Sequence, residues 1–359
     1  MAVSELLSTE FAAPFERTTE ADAAALAHAL WGLTPARAVR VDTERDDTFL
    51  VETAETAEAA DAAGIPDTID GGYGRYALKI SHPADDPAVV ELQLAAIEWA
   101  AARDAGLPLP HPIPALDGRL LPVADGRVAR LSRWMPGRPL RDAVADAAPD
   151  GAPPPTLLHA VGTAQARLTV ALEGFAHPAD GRALAWDVAR LPELGALLEA
   201  VDDPAPVTDA FDRFARTVAP RLDELPQQVI HNDGNLDNLL VSDSAPGAGV
   251  RVAAILDFGD VVRTARALDL AVAASYLVPG DGRVATSEVL AGLVAGWESV
   301  LPLEPLEREL LPGLVVGRLV QRILLGSWLA RELPGNADYL GRNIAHTRAQ
   351  LARALAEGS

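Results

Sequence analysis

Between His231 and Asn238 the chain places one His, two Asp and three Asn in eight residues, and Leu-Leu-Val follows at once. Polar side chains this dense beside an apolar run are costly to bury unless something occupies their donors and acceptors. His231, Asp233 and Asn238 stand in the spacing H-x-D-x-x-x-x-N. That spacing lets one carboxylate orient a hydroxyl while an amide oxygen meets a cation. A second polar group, ILDFGD at 255–260, again ends an apolar run. Asp257, at a strand end and followed by Phe-Gly, suits a hard divalent ion with oxygen ligands, and Mg²⁺ held by one or two carboxylates plus substrate phosphates is the usual arrangement. Together these are parts of a phosphoryl-transfer site. Asp233 is the base or orienter of the acceptor hydroxyl, Asn238 and Asp257 are the metal ligands, and ATP or GTP is the donor.

Composition supplies another candidate. Of thirty basic residues only Lys79, in GRYALKISHP, is a lysine. In a chain that otherwise spells every cation as Arg, this position calls for a compact ammonium on a flexible stem rather than a planar fork. Lys79 on a strand is the expected holder of the nucleotide phosphates. Among single residues, His231 reads as a scaffold that holds its loop by hydrogen bonds, and Asp269 as a helix cap or an acceptor of loop hydrogen bonds. Asp260 lies just past the metal ligand, where an acceptor cation can approach. Arg318 and Arg322, at i and i+4 on an apolar helix, read as buried ion-pair partners, with Arg318 also a candidate for a substrate carboxylate. Trp134, Trp186 and Trp328 read as core. Glu298, Glu304 and Glu332 are further carboxylates for a substrate ammonium.

These residues need elements to position them. TTEADAAALAHALWGL (18–33) predicts an amphipathic helix with Thr19 and Asp22 as a capping box. Short β-prone runs follow, ending in RYALKIS. The stretch 85–106 predicts a helix with Asp86 as N-cap, Pro87 in the first turn, Gly106 as C-cap, and an apolar face of Val90, Leu94, Ile97 and Ala101. Asp-Gly at 117–118 and 125–126 predicts hairpin-like turns, PGRPL (136–140) a hinge, and DAAPDGAPPP (146–155) an exposed loop. From 156 onward the pattern is mainly helical, without internal repeat. The fold class is α+β, with a small N-terminal lobe over 1–135 and a larger helical lobe over 136–359.

Bulk properties exclude some functions. A net charge of −21 and a pI of 4.6 make nucleic acid an improbable partner and favour a small cation. No membrane span is expected, because the candidates 270–278 and 310–330 are too short or carry Arg318 and Arg322. The first residues lack a signal-peptide pattern and the chain has no Cys, which together predict a cytoplasmic protein.

The polar clusters carry a resemblance. HNDGNLDNLLV and ILDFGDVVRTARALDLAVA resemble the aminoglycoside phosphotransferase and choline kinase group, and most the hydroxylysine kinase branch, which includes kinase domains fused to class III aminotransferases. VDTERDDTFLV (41–51) is similar to that group's nucleotide loop, RLSRWMPGRPL (130–140) to its interlobe connector, and NADYL (336–340) to a late helical segment. The resemblance implies a protein-kinase-like two-lobed fold and phosphorylation of a hydroxyl on an amine-bearing small molecule, cationic or zwitterionic. It implies that the 41–51 loop covers phosphates with backbone amides, Arg45 and Thr48. The chain departs from the group in three places, one of them a nucleotide loop without G-x-G-x-x-G. Asn232 stands where many relatives have Gly, and Gln93 stands where a helix carboxylate pairs with the lysine, leaving Glu91 or Glu98 for that role. An aminoglycoside, choline or homoserine kinase of the same fold remains the alternative, as does a nucleotide-binding pseudokinase without activity.

Overall fold

The computed structural model describes residues 3, 6–7, 15–41, 43, 45–53, 74–147, 153–243, 249–280, 284–332 and 337–357. It opens with helix α1 (Glu20–Trp31), started as expected by Thr19, whose hydroxyl accepts from the Asp22 N–H at 3.1 Å. An antiparallel sheet follows: β1 (Pro35–Val41), β2 (Asp47–Thr53), β3 (Arg75–Ile80), helix α2 (Pro87–Arg103), then β4 (Pro112–Ile113), β5 (Val123–Ala124) and β6 (Arg127–Arg133). The strand order is β1-β2-β3-β6-β4, with β5 on the end of β6. Alternation along the strands divides the sheet into two faces. Phe49, Val51, Tyr76, Leu78, Ile80 and Leu131 bury one face against Ala23, Ala27 and Trp31 of α1. The other face carries Lys79 and Arg130 toward the large lobe.

Asp125-Gly126 makes the expected hairpin turn, both residues with positive φ (50° and 76°) between β5 and β6. Asp117-Gly118 turns the chain without joining two paired strands, since β4 pairs with β6 instead. Helix α2 begins on Asp86 and Pro87, but its C-cap is Asp104 rather than Gly106. The Asp104 carboxylate is held by Arg167 at 2.8 Å, so the helix end is fixed by an ion pair where the glycine was expected to do so. Leu92, Ala96, Ile97 and Ala100 of α2 pack into the hydrophobic core of the helical lobe, so this helix fastens the two lobes together.

Residues 134–137 lead to β7 (Arg138–Pro139), which pairs with a strand of the large lobe. Gly137 has φ 114°, and a Cβ there would lie 3.0 Å from the Val241 carbonyl, so the crossing needs glycine. The large lobe continues with α3 (Leu140–Ala147), α4 (Pro155–Ala171), a 3₁₀ segment (Val188–Ala200) and α5 (Ala205–Thr217). Four short strands follow: β8 (Gln227–Ile230), β9 (Leu239–Asp243), β10 (Val250–Ile255) and β11 (Val262–Ala265). The lobe ends with α6 (Ala267–Leu277), α7 (Thr286–Glu298), α8 (Pro305–Glu332) and α9 (Ala337–Glu357). By length and composition α8 is long and apolar enough to cross a membrane, contrary to expectation, but most of it is buried among other helices. Asp42, Glu44 and Asn336, and residues 148–152 of the expected 146–155 loop, lie outside the described residues, while 146–147 and 155 are helical rather than loop.

Candidate active site

Two strand ribbons present the two polar clusters side by side. β8 pairs with β11 and β9 pairs with β10, all antiparallel. The loop 231–238 therefore joins one ribbon to the other, and so does the loop 256–261. The Leu256 N–H donates to the Asn238 carbonyl at 2.7 Å and ties the loops together.

The first loop is braced from behind. His231 is fully buried; one ring nitrogen meets the Leu256 carbonyl at 2.9 Å, and the other accepts from the Asp233 N–H at 3.2 Å. Burial pushes its pKa down to about 4, so it is a neutral scaffold and not a proton carrier. Asn232 has φ 65°, in the left-handed region where Gly is easiest and Asn is tolerated. That conformation explains why Asn can replace Gly there. Asp269, buried in the first turn of α6, accepts from the Asn232 N–H at 2.7 Å and from Thr169 Oγ1 at 3.3 Å. Its expected role as acceptor of loop hydrogen bonds holds.

Asp233 itself is 20% exposed. One oxygen, Oδ2, accepts from the amides of Asn238 at 2.6 Å and Asn235 at 2.9 Å. The other, Oδ1, has Arg318 Nη2 at 3.8 Å and no hydrogen bond among the described contacts. Burial, and then the charge of Asp260, push the Asp233 carboxyl well above the usual carboxylate range, partly offset by Arg318. Asn235 is a residue that sequence reasoning missed. Its side-chain oxygen also accepts from the N–H groups of Asp237 and Asn238, so it closes the loop around Asp233.

Asp257 sits at φ 57°, turned toward the small lobe. Lys79 Nζ lies 3.1 Å from its Oδ2, while Oδ1 accepts from the Gly259 N–H. Lys79 is the main cause that lowers the Asp257 pKa to about 2. The lysine's carboxylate partner is therefore Asp257. Glu91 and Glu98 are exposed, and Gln93 binds Arg130 instead.

The structure also tests the remaining candidates. Arg318 is 1% exposed, donates to the Trp186 carbonyl and Gln321, and stacks over the Trp186 ring at 4.9 Å. It thus lies buried beside Asp233 rather than at the surface. Arg322 has no ion pair among the described contacts; it donates to the Ser275 carbonyl and covers Tyr276. Trp134, Trp186 and Trp328 are half-buried; Trp186 and Trp328 pack against the core of the helical lobe as expected, Trp134 does not, and Trp134 and Trp186 carry Arg75 and Arg318 on their rings. Glu298 is held by Arg308, and Glu304 lies beside Arg266. Arg45 pairs with Asp85 through Nε at 2.8 Å. Thr48, buried, stands in register with Lys79.

No three acidic or histidine side chains cluster for a metal among the described residues. Both amide protons of Asn238 go to Asp233, which leaves its oxygen available on the loop that Leu256 ties to that of Asp257. One carboxylate and one amide oxygen fit a divalent ion that takes its other ligands from phosphates and water.

A β-sheet lobe offering a lysine to a strand-end carboxylate, above a helical lobe offering an Asp–Asn loop, is the architecture of a kinase-like phosphotransferase. The chain belongs to the phosphotransferase enzyme family, whose sequence profile matches residues 67–303. It is 28% identical to hydroxylysine kinase of Danio rerio, over 74% of this chain and 76% of that one. It is 31% identical to homoserine kinase of Gluconacetobacter diazotrophicus, over 69% and 75%. Among solved structures it is similar to a microcompartment-associated aminopropanol kinase, with TM-score 0.65 and 21% identity over 92% of this chain and 94% of that one. The protein is thus a phosphotransferase that acts on a hydroxyl of a small molecule.

Proposed function

We propose that this kinase phosphorylates the hydroxyl of an amine-bearing metabolite, hydroxy-amino acids of the 5-hydroxylysine kind first, with Mg²⁺ and ATP or GTP. The observation that carries the reading is the asymmetry of Asp233. Two amides fix one carboxylate oxygen, and the other is left without a hydrogen bond among the described residues, free to receive an acceptor hydroxyl in this reading. Asp233 orients that hydroxyl and takes its proton. Asp257 and Asn238 would hold Mg²⁺, which when bound neutralises charge on the transferring phosphoryl group. Lys79 takes the phosphates, with Thr48 and Arg45 at the nucleotide loop. Asp260, whose charge reaches Asp233, is the nearest candidate for the substrate ammonium. Arg318 holds its charge beneath the base and moderates the acidic field there.

The relatives named above act on hydroxylysine, homoserine and aminopropanol, all amine-bearing alcohols. The net charge of −21 supports the same class, because it disfavours anionic acceptors at encounter. The test is acceptor-dependent nucleotide consumption across 5-hydroxylysine, homoserine, 1-amino-2-propanol, choline and aminoglycosides, each amine also in acetylated form. Efficiency is expected to fall when the amine is acetylated. Preference for neutral sugars, or indifference to acetylation, would overturn the acceptor class.

A further inference from the structure

The sheet register places three side chains in one row across the face that looks into the cleft. Thr48 on β2 pairs with Lys79 on β3, and Lys79 pairs with Arg130 on β6. Residues directly opposite one another share a face, with Cβ atoms about 5 Å apart. Arg130 is therefore the immediate neighbour of the lysine, and its side chain is 20% exposed.

Its contacts are unlike those of a surface arginine. Nη1 donates to Gln93 on α2 at 2.5 Å. Nη2 lies 3.2 Å from Asp46, in the turn between β1 and β2 that the proposed reading assigns to the nucleotide. Its charge is also felt by Asp257, where it helps to keep the carboxyl ionised. Gln93 sets the balance. An amide there orients the guanidinium without neutralising it, whereas a carboxylate would cancel one of the two neighbouring cations. Among the described contacts, the carboxylates that meet Lys79 and Arg130 are Asp257, required by the metal in the proposed reading, and Asp46, on a turn. A triphosphate tail carries more negative charge than one lysine can neutralise.

We propose that Arg130 is a second phosphate-binding cation, sharing the nucleotide's phosphates with Lys79, and that Asp46 occupies it until the nucleotide arrives. Arginine suits this position because its planar fork can keep Gln93 on one nitrogen while offering the other to a phosphate oxygen. The inference rests on reading this cleft as the nucleotide site.

Calorimetric titration of the whole chain with nucleoside, monophosphate, diphosphate and triphosphate, in Mg²⁺, separates the possibilities. For Arg130→Gln, triphosphate affinity is expected to fall roughly tenfold or more, with a smaller loss for monophosphate and little change for nucleoside. Arg130→Lys is expected to recover part of the loss. Asp46→Asn removes the competing carboxylate, so triphosphate binding is expected to tighten several-fold. Equal losses for nucleoside and triphosphate in Arg130→Gln, no loss at all, or weakening by Asp46→Asn would overturn the proposal. In those outcomes the pair is a structural clasp on the turn. Should the unaltered chain bind neither ATP nor GTP, the nucleotide-site reading itself fails, which is a distinct result. Asp46→Asn is a gain-of-affinity test, so loss of folding cannot imitate success.

Discussion

The loop of Asp233 and the loop of Asp257 leave neighbouring strand ribbons with the same functional group, yet hold it under opposite conditions. Asp257 faces Lys79 from the other lobe and is held ionised well below the usual range. Asp233 is held by amides of its own loop, lies near Asp260, and is pushed upward by burial and by that like charge. The ionisation of one carboxylate depends on contact between the lobes; that of the other is set within the large lobe. In the proposed reading a ligand that enters between the lobes therefore acts first on Asp257, while Asp233 is already in place for the acceptor.

The largest effects should come from deleting each carboxylate. Asp233→Ala and Asp257→Ala are both expected to remove most turnover, since a general base alone contributes about 10²–10⁴-fold. Their binding should differ. Asp233→Ala is expected to keep nucleotide affinity and its metal dependence, and Asp257→Ala to lose the metal dependence. Calorimetry with and without Mg²⁺ checks this, and identical binding in the two variants would erase the distinction.

The brace behind Asp233 can be read by pH. His231 is held neutral to about 4, below its reference of 6.5. On acidification the unfolded chain takes up that proton first. This contribution is therefore present above 6.5 and lost as pH falls through 4, at about 1.4 kcal/mol per unit. Asp269 is raised to about 6 from 3.8. Its contribution is present below 3.8 and lost as pH rises through 6. Between pH 6 and 4 the two offset. His231→Gln leaves Asp269 alone, so stability should rise on acidification across that window; Asp269→Asn leaves His231 alone, so it should fall. Urea denaturation at stepped pH measures both slopes, and slopes of the same sign would contradict the assignment.

Lys79→Arg keeps the charge that faces Asp257 but widens the head group. Nucleotide KM is expected to rise roughly tenfold, with Asp233-dependent chemistry otherwise preserved. Full activity in this variant would mean that the single lysine is a coincidence of composition.

The smallest effect concerns the turn before Asp233. Asn232→Gly suits φ 65° and should leave stability within about 1 kcal/mol and activity intact, whereas Asn232→Ala should cost about 1–2 kcal/mol. Equal stability of the two variants in urea denaturation would show that backbone strain does not select the residue.

Much of this was legible beforehand because the signals are local. The H-x-D-x-x-x-x-N spacing, Asp257 before Phe-Gly, the unique Lys79 and the Thr19 cap each lie within a few consecutive residues. Arg130 was not legible, since its importance comes from a cross-strand register with Lys79 that no local pattern encodes. The partner of Lys79 was missed for the same reason: it lies 178 positions away, in the other lobe. Gly106 was a sound local guess for a helix end, overridden by the Asp104–Arg167 ion pair formed between distant helices. The three tryptophans looked like core by composition, yet two serve as platforms for arginines whose placement depends on tertiary packing.

In the proposed reading Asp233 delivers an acceptor hydroxyl to a phosphoryl donor. The most direct test is mass-spectrometric detection of the phosphoester after incubation with nucleoside triphosphate, Mg²⁺ and 5-hydroxylysine, homoserine or 1-amino-2-propanol. The expected result is a phosphorylated hydroxyl on at least one of these with the unaltered chain, reduced by about 10²-fold or more in Asp233→Asn. Phosphoester formation at an undiminished rate in Asp233→Asn, or none with any hydroxylated amine, would contradict it.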